Sequence, residues 1–259
     1  MSLYDLLAIV GIIPPFLLLW FAERFERRVR EPTRGWRYRI MAASGLASIP
    51  IAWTERLFSA MLQGTEQPAA LLVDAYVLAA GIEELGKVLC LMLLTRGPLG
   101  PKTRYGAWLY ALHASMGFAL VENVIALLSD SEDLGSLSTR FVLRAYMTVP
   151  MHFVAGGILG YFWALRRFDR GPIGLAGGTS VAIVIHGSFN ASLLAMDVLD
   201  PEQSSLRIFF AITSLAIPLF GVLVLRFLGS HLRLLDQRGE MTKVVRERRQ
   251  SVRPLPPVM

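Results

Sequence analysis

Four short stretches place ionisable side chains inside long apolar runs of the 259-residue sequence: Glu83-Glu84-x-x-Lys87, Phe118-x-x-x-Glu122-Asn123, an isolated His152 and His186-Gly-x-x-Asn190. Carboxylates beside imidazoles supply what hydrolysis needs, a base for a water proton and donors for the developing oxyanion. Ser188 lies between His186 and Asn190 but on another helix face, and Cys90 has no histidine within local reach. Activated water is therefore favoured over covalent attack. In one form, Glu122, His152 and His186 bind a divalent metal such as zinc, which keeps a position for water, while Glu83 or Glu84 is the base. In the other, no metal takes part: a carboxylate in apolar surroundings activates water, and His186 and Asn190 donate to the oxyanion. The chain has no HExxH segment, so the spacing leaves both forms open.

These residues need elements that bring them together, and the composition says what those are. The chain is 54% hydrophobic with a mean hydropathy of +0.49, too apolar for a soluble fold of this size. Its apolar residues fall in seven runs, about 4–22, 40–62, 69–95, 105–129, 141–165, 173–198 and 208–229. Each is near the ~20 residues that carry a helix across roughly 30 Å of hydrocarbon. The expected fold class is all-α, a polytopic transmembrane bundle over 1–235 with its active-site core at 69–198. A polar, then proline-rich tail over 236–259 is expected to be cytoplasmic and disordered. The first run lacks a basic start and a small-residue cleavage site, so it reads as an uncleaved helix.

Charge gives the orientation. Twenty-one of the 26 basic residues fall in the segments after runs one, three, five and seven. The alternate segments carry Glu66, then Asp130, Glu132 and Asp133, then Asp200 and Glu202. Basic residues collect on the cytoplasmic side, which sets an N-out, C-in topology. The same distribution explains the formal charge of +6 without nucleic acid, since no basic stripe with interleaved aromatics occurs elsewhere. The second run, with Ser44, Gly45, Ser48 and Pro50 before Trp53-Thr-Glu-Arg56, is the weakest; its outer end is expected to break early or lie in the interface.

Depth then groups the polar residues. Counted from the outer ends of their runs, Glu83, Glu122, His152, His186 and Asn190 fall in a band roughly 10–20 Å down. Four helices running alternately up and down thus bring them to one level. Lys87, three residues from Glu84 and four from Glu83, can pair with either carboxylate. Adjacent helical residues diverge by about 100°, so one glutamate faces the site while the other takes the lysine. A charge at bilayer depth costs about 2.5–3.5 kcal/mol, whereas polar bonds that merely hold membrane helices together average about 0.6 kcal/mol and need only uncharged side chains. Three carboxylates, a lysine and two histidines thus point to a site. His113 lies off this level and reads as structural, and His231 as a solvated tail residue. Asp74 reads as interfacial, and Arg144 as pairing with Asp130 or snorkelling.

In order and spacing, the four motifs resemble those of the PrsW-type intramembrane proteases, distant relatives of the CAAX-protease and bacteriocin-immunity superfamily. The resemblance spans runs three to six. The wider superfamily shows EExxxR and FxxxH where this chain has EExxK and FxxxE, which sets it on the PrsW branch and away from prenyl-protein substrates. The resemblance implies that Glu83, Glu84, Glu122, His152, His186 and Asn190 line an active site. It further implies cleavage of a membrane-protein substrate, such as a single-pass anti-sigma factor, near its extracytoplasmic side in a bacterial or archaeal plasma membrane. The competing reading is a proton- or ion-coupled transporter, because buried Glu, Lys and His also make relays. The sequence shows no inverted halves, and its acid–histidine group is compact. A pseudoenzyme that binds membrane partners is the third reading.

Overall fold

A computed structural model describes residues 12–24, 35–62, 68–128, 139, 141, 143–200 and 202–251. Among them there is no strand. The helices are α1 (Ile13–Glu23), α2 (Trp36–Leu62), α3, α4 (Arg104–Leu128), α5 (Arg144–Asp169), α6 (Gly174–Val198) and α7 (Ser204–Ser251). α3 runs over 68–94 as Pro68–Val73, a π-helical stretch Asp74–Ala79, and Ala80–Leu94. α5 also opens with π-helix, Arg144–Thr148, before Val149–Asp169.

α4, α5, α6 and α7 are each long and apolar enough to cross a membrane. The chain is a multi-pass helical membrane protein. α3 is apolar enough but does not meet that standard, because every stretch of it long enough to span carries at least three of Asp74, Glu83, Glu84 and Lys87, so the side chains that make the site also mask its helix. α2 carries Arg37, Arg39, Glu55 and Arg56. The early part of the first apolar run lies outside the described residues.

α4 and α5 form the centre: the most apolar window of each is 67% and 72% buried, against 33% for α6 and 22% for α7. Phe209, Ile212, Phe220, Leu223 and Phe227 of α7 project outward. A continuous exposed apolar face of this kind belongs against lipid.

α2 does not break at Pro50; it is one helix from Trp36 to Leu62, and Thr54 Oγ1 donates to the Pro50 carbonyl at 2.9 Å. Its small residues let it lie directly on α4. A Cβ at Gly117 would stand 1.9 Å from the Met41 carbonyl oxygen, and one at Gly45 would stand 2.8 Å from the Gly117 carbonyl oxygen. Backbone meets backbone here, so no side chain can move aside. Gly117→Ala is expected to destabilise the protein by about 1–3 kcal/mol, the usual cost of overpacking. Thermal unfolding in detergent measures it, and an unchanged midpoint would contradict the close approach.

The segment from 236, expected to be disordered, continues as helix to Ser251; residues 252–259 lie outside the described residues. The reason is local. Asp236 is buried, and its carboxylate accepts the backbone N–H groups of Arg104 (3.0 Å) and Tyr105 (2.9 Å) and the Arg104 guanidinium (3.1 Å). It thereby caps the amino end of α4, whose first N–H groups lack helical partners. Arg104 also donates through Nε to Asp169 at 2.8 Å, so one arginine ties α4 to the carboxyl end of α5 and to α7.

Candidate active site

The π-helical stretches of α3 and α5 each end four residues before a member of the buried polar cluster, Glu83 in one case and His152 in the other. In α5, Pro150 has no N–H and its ring crowds the carbonyl four residues back, which favours a wider turn there. Such bulges re-aim the side chains that follow and recur at functional sites. α3, α4, α5 and α6 together deliver one cluster in the interior.

Lys87 is its hub. The ammonium, wholly buried, donates to Glu84 Oε1 (2.7 Å), His152 Nδ1 (3.0 Å) and Glu83 Oε2 (3.3 Å), so its three protons are all used. It also lies over the Phe118 ring, 4.6 Å from the centroid, a cation–π contact that gives the conspicuous aromatic of the second motif a role. Lysine has no lone pair to offer when charged, so His152 Nδ1 is the acceptor and its Nε2–H donates to Glu122 Oε2 at 2.9 Å. On His186, Nδ1–H donates to Glu84 Oε1 at 2.9 Å, leaving Nε2 with a lone pair 4.0 Å from Glu83 Oε2. The two imidazoles pack edge to face, 5.0 Å between centroids.

The six expected site residues do not share the cluster equally. Glu83, Glu84, His152 and His186 each offer a ligand atom, and these atoms lie within 4.8 Å of one another. Glu122 stands behind His152 rather than among these four: its other oxygen accepts from Arg144 at 2.6 Å. Asn190, one turn beyond His186 on α6, is half-buried and makes no side-chain hydrogen bond to a described residue. Glu84 Oε2 is buried with no hydrogen-bond partner among the described residues. A buried carboxylate oxygen left without a donor is costly, and a cation is one way to satisfy it. Four residues with oxygen or nitrogen donors this close together are therefore chemically suited to a divalent metal.

Arg144 was expected to pair with Asp130 or snorkel. Asp130 lies outside the described residues, and Arg144 donates to Glu122 and, through Nε, to Asn123 at 3.0 Å. The π turn at its own position sets this direction, and no sequence period announces it. Glu55, outside all four motifs, also borders the cluster. Its Oε1 is buried without a hydrogen bond among the described residues, and it lies within electrostatic reach of Glu122, Lys87 and Asp74. The available signal was the polar stripe Ser44, Ser48, Glu55 and Ser59 along one face of α2, whose last member donates to Asp74 at 2.6 Å. Gly187 lets α6 come close to α3: a Cβ there would stand 2.3 Å from the Tyr76 ring, whose hydroxyl meets Ser188 Oγ at 2.9 Å.

His113 is buried away from the cluster. Its Nδ1 bonds the Leu109 carbonyl at 2.7 Å, its Nε2 lies 3.1 Å from Glu23, and Tyr38 packs on its ring. His231, expected to be solvated, meets the Tyr161 hydroxyl at 3.0 Å.

A membrane-embedded helical bundle that encloses carboxylates, imidazoles and an ammonium between four of its helices has the architecture of an intramembrane enzyme. The chain matches the family model of the PrsW family intramembrane metalloproteases over residues 17–223, which takes in every residue of the cluster, and it belongs to that family. No curated protein and no solved structure matches it.

Proposed function

We propose that this protein is an endopeptidase that cuts a membrane-protein substrate with water activated by the Glu83–His152–His186 group. The observation that carries the reading is the convergence of Glu83, Glu84, His152 and His186 within 4.8 Å. Glu84 is committed to Lys87 and His186, whereas Glu83 keeps only the longer bond to Lys87 and sits near both imidazoles. Glu83 is therefore the base that takes a proton from water and returns it to the leaving amine. Glu84 through Oε2 and His186 through Nε2 would hold the metal, joined by His152 where its Nδ1 gives up the bond to Lys87, and the metal would supply Lewis-acid polarisation of the water and of the scissile carbonyl. Glu122 then acts from behind, fixing the His152 ring and tautomer. Asn190 and the partly exposed Glu122–Arg144 pair mark the side from which the peptide enters, and the Asn190 amide is placed to donate to the oxyanion.

The charge distribution supports an N-out, C-in topology in a cell membrane. With it, the cluster lies towards the extracytoplasmic half, where a single-pass substrate such as an anti-sigma factor would be cut. The test is cleavage of a membrane-embedded reporter by the purified protein in liposomes, with the metal content of the same preparation measured by elemental analysis. Cutting by wild type, with stoichiometric metal lost in His186→Ala, is the expected result. An intact reporter together with proton flux would overturn the reading in favour of a transporter.

Arg144 is a positioning residue in this scheme. Arg144→Gln is expected to lower kcat about 10- to 100-fold, the usual effect of removing a group that orients a ligand, with KM nearly unchanged. Arg144→Lys should restore part of the loss. Equal losses for both replacements in kcat and in folded yield would make the arginine merely structural.

A further inference from the structure

Glu55 of α2 borders the cluster, yet the chemistry assigned to the cluster does not use it. Given the endopeptidase reading, on which this one rests, we propose that Glu55 selects the substrate. Its carboxylate receives a lysine or arginine side chain that lies one or two residues to the extracytoplasmic side of the bond to be cut.

Two contacts fix where Glu55 stands. Ser59 donates to Asp74 at 2.6 Å. Two turns back, Ile51 packs on Gly86, where a Cβ would come within 2.3 Å of the Ile51 Cδ1. Ile51, Glu55 and Ser59 follow one another at four-residue steps on one face of α2. The same two contacts make α2 and α3 antiparallel, so Glu55 lies opposite Ala80, about one turn, or ~5 Å, to the extracytoplasmic side of Glu83. An extended peptide advances about 3.3 Å per residue. The substrate residue that reaches Glu55 is therefore the first or second from the carbonyl attacked beside Glu83.

The chain supplies no cation for this carboxylate. Oε1 is buried, and Glu55 makes no hydrogen bond or ion pair with a described residue. Lys87 has given its three protons to Glu83, Glu84 and His152, and Arg144 is turned to Glu122 and Asn123. Arg56, the next residue, is exposed on another face of α2. The neighbouring acids are engaged as well, Asp74 by Ser59 and Glu122 by Arg144 and His152. Among the described residues, no second group of three metal-ligating side chains includes Glu55. With Glu122 within electrostatic reach, this edge of the site repels an acidic substrate residue and favours a basic one. Lysine and arginine have apolar stems long enough to carry a charge to such a carboxylate from a peptide in hydrocarbon.

The test uses single-pass reporters of one sequence that carry lysine, methionine or glutamate at the first or second residue on the extracytoplasmic side of the cut. Cleavage by the full chain in liposomes gives kcat/KM, and fluorescence quenching on the Glu83→Gln background gives Kd for the uncut reporters. The lysine reporter should be cut and bound about 10- to 100-fold better than the methionine one, the range for one charge-assisted hydrogen bond, with the glutamate reporter worst. Glu55→Gln should erase that ranking, Glu55→Arg should reverse it between lysine and glutamate, and Arg56→Gln should keep it. If Glu55→Arg fails to fold, the isosteric Glu55→Gln decides alone. Equal cutting and equal binding of the lysine and methionine reporters overturns the selection by Glu55 and leaves the endopeptidase in place; so does a ranking that survives Glu55→Gln. Lysine-selective binding with no reporter cut sustains the selection and overturns the endopeptidase instead.

Discussion

Glu83→Gln is expected to reduce reporter cleavage by at least about 10³-fold while leaving the fold intact, the range for loss of a general base. Glutamine keeps the size and can still accept the longer hydrogen bond from Lys87, so the helix contacts survive. It cannot take a proton from water. Glu83 is the least encumbered carboxylate of the cluster, 3.3 Å from Lys87 and 3.8 Å from His152 Nδ1. Retention of the thermal midpoint together with loss of cutting is the signature sought. Cleavage within tenfold of wild type would remove Glu83 from the chemistry and pass the role to Glu84.

Lys87→Met attacks the fold instead. Methionine keeps most of the apolar stem but removes the one cation that reaches Glu83, Glu84 and His152 together. Breaking a buried ion pair from one side leaves an uncompensated charge and costs about 3–5 kcal/mol. The variant should therefore unfold at a markedly lower temperature in detergent, and added zinc should recover part of the difference, because a divalent cation can neutralise the same carboxylates. A variant as stable as wild type, with or without zinc, would show that these glutamates do not depend on the ammonium for their burial.

Much of this was legible in the sequence because hydrocarbon enforces it. Glu83, Glu84, His152 and His186 had to find each other, and counting residues down from each membrane surface placed them on one level. The family match over residues 17–223 agrees with the resemblance seen in the motifs. What escaped depends on angle rather than depth. A count of residues gives height along a helix, but the bearing of a side chain changes by about 100° per residue, and a π turn shifts it again. Hence Glu122 stands behind His152 rather than beside Glu83, and Arg144 points inward. The length of α7 escaped for another reason: the polar residues after Arg233 read as tail, and only the distant amino end of α4 explains why Asp236 is buried.

The two wide turns carry a consequence for how relatives of this chain can differ in length. Each amounts to one surplus residue tucked into an otherwise regular rod. A deletion inside 74–79 or 144–148 would let the rod relax to ordinary winding, and the cluster side chains downstream would keep their bearing. The same deletion between 80 and 87 would swing Lys87 about 100° away from its partners. Gaps in a family comparison should therefore cluster at these turns, and the stretches just beyond them should keep a fixed length.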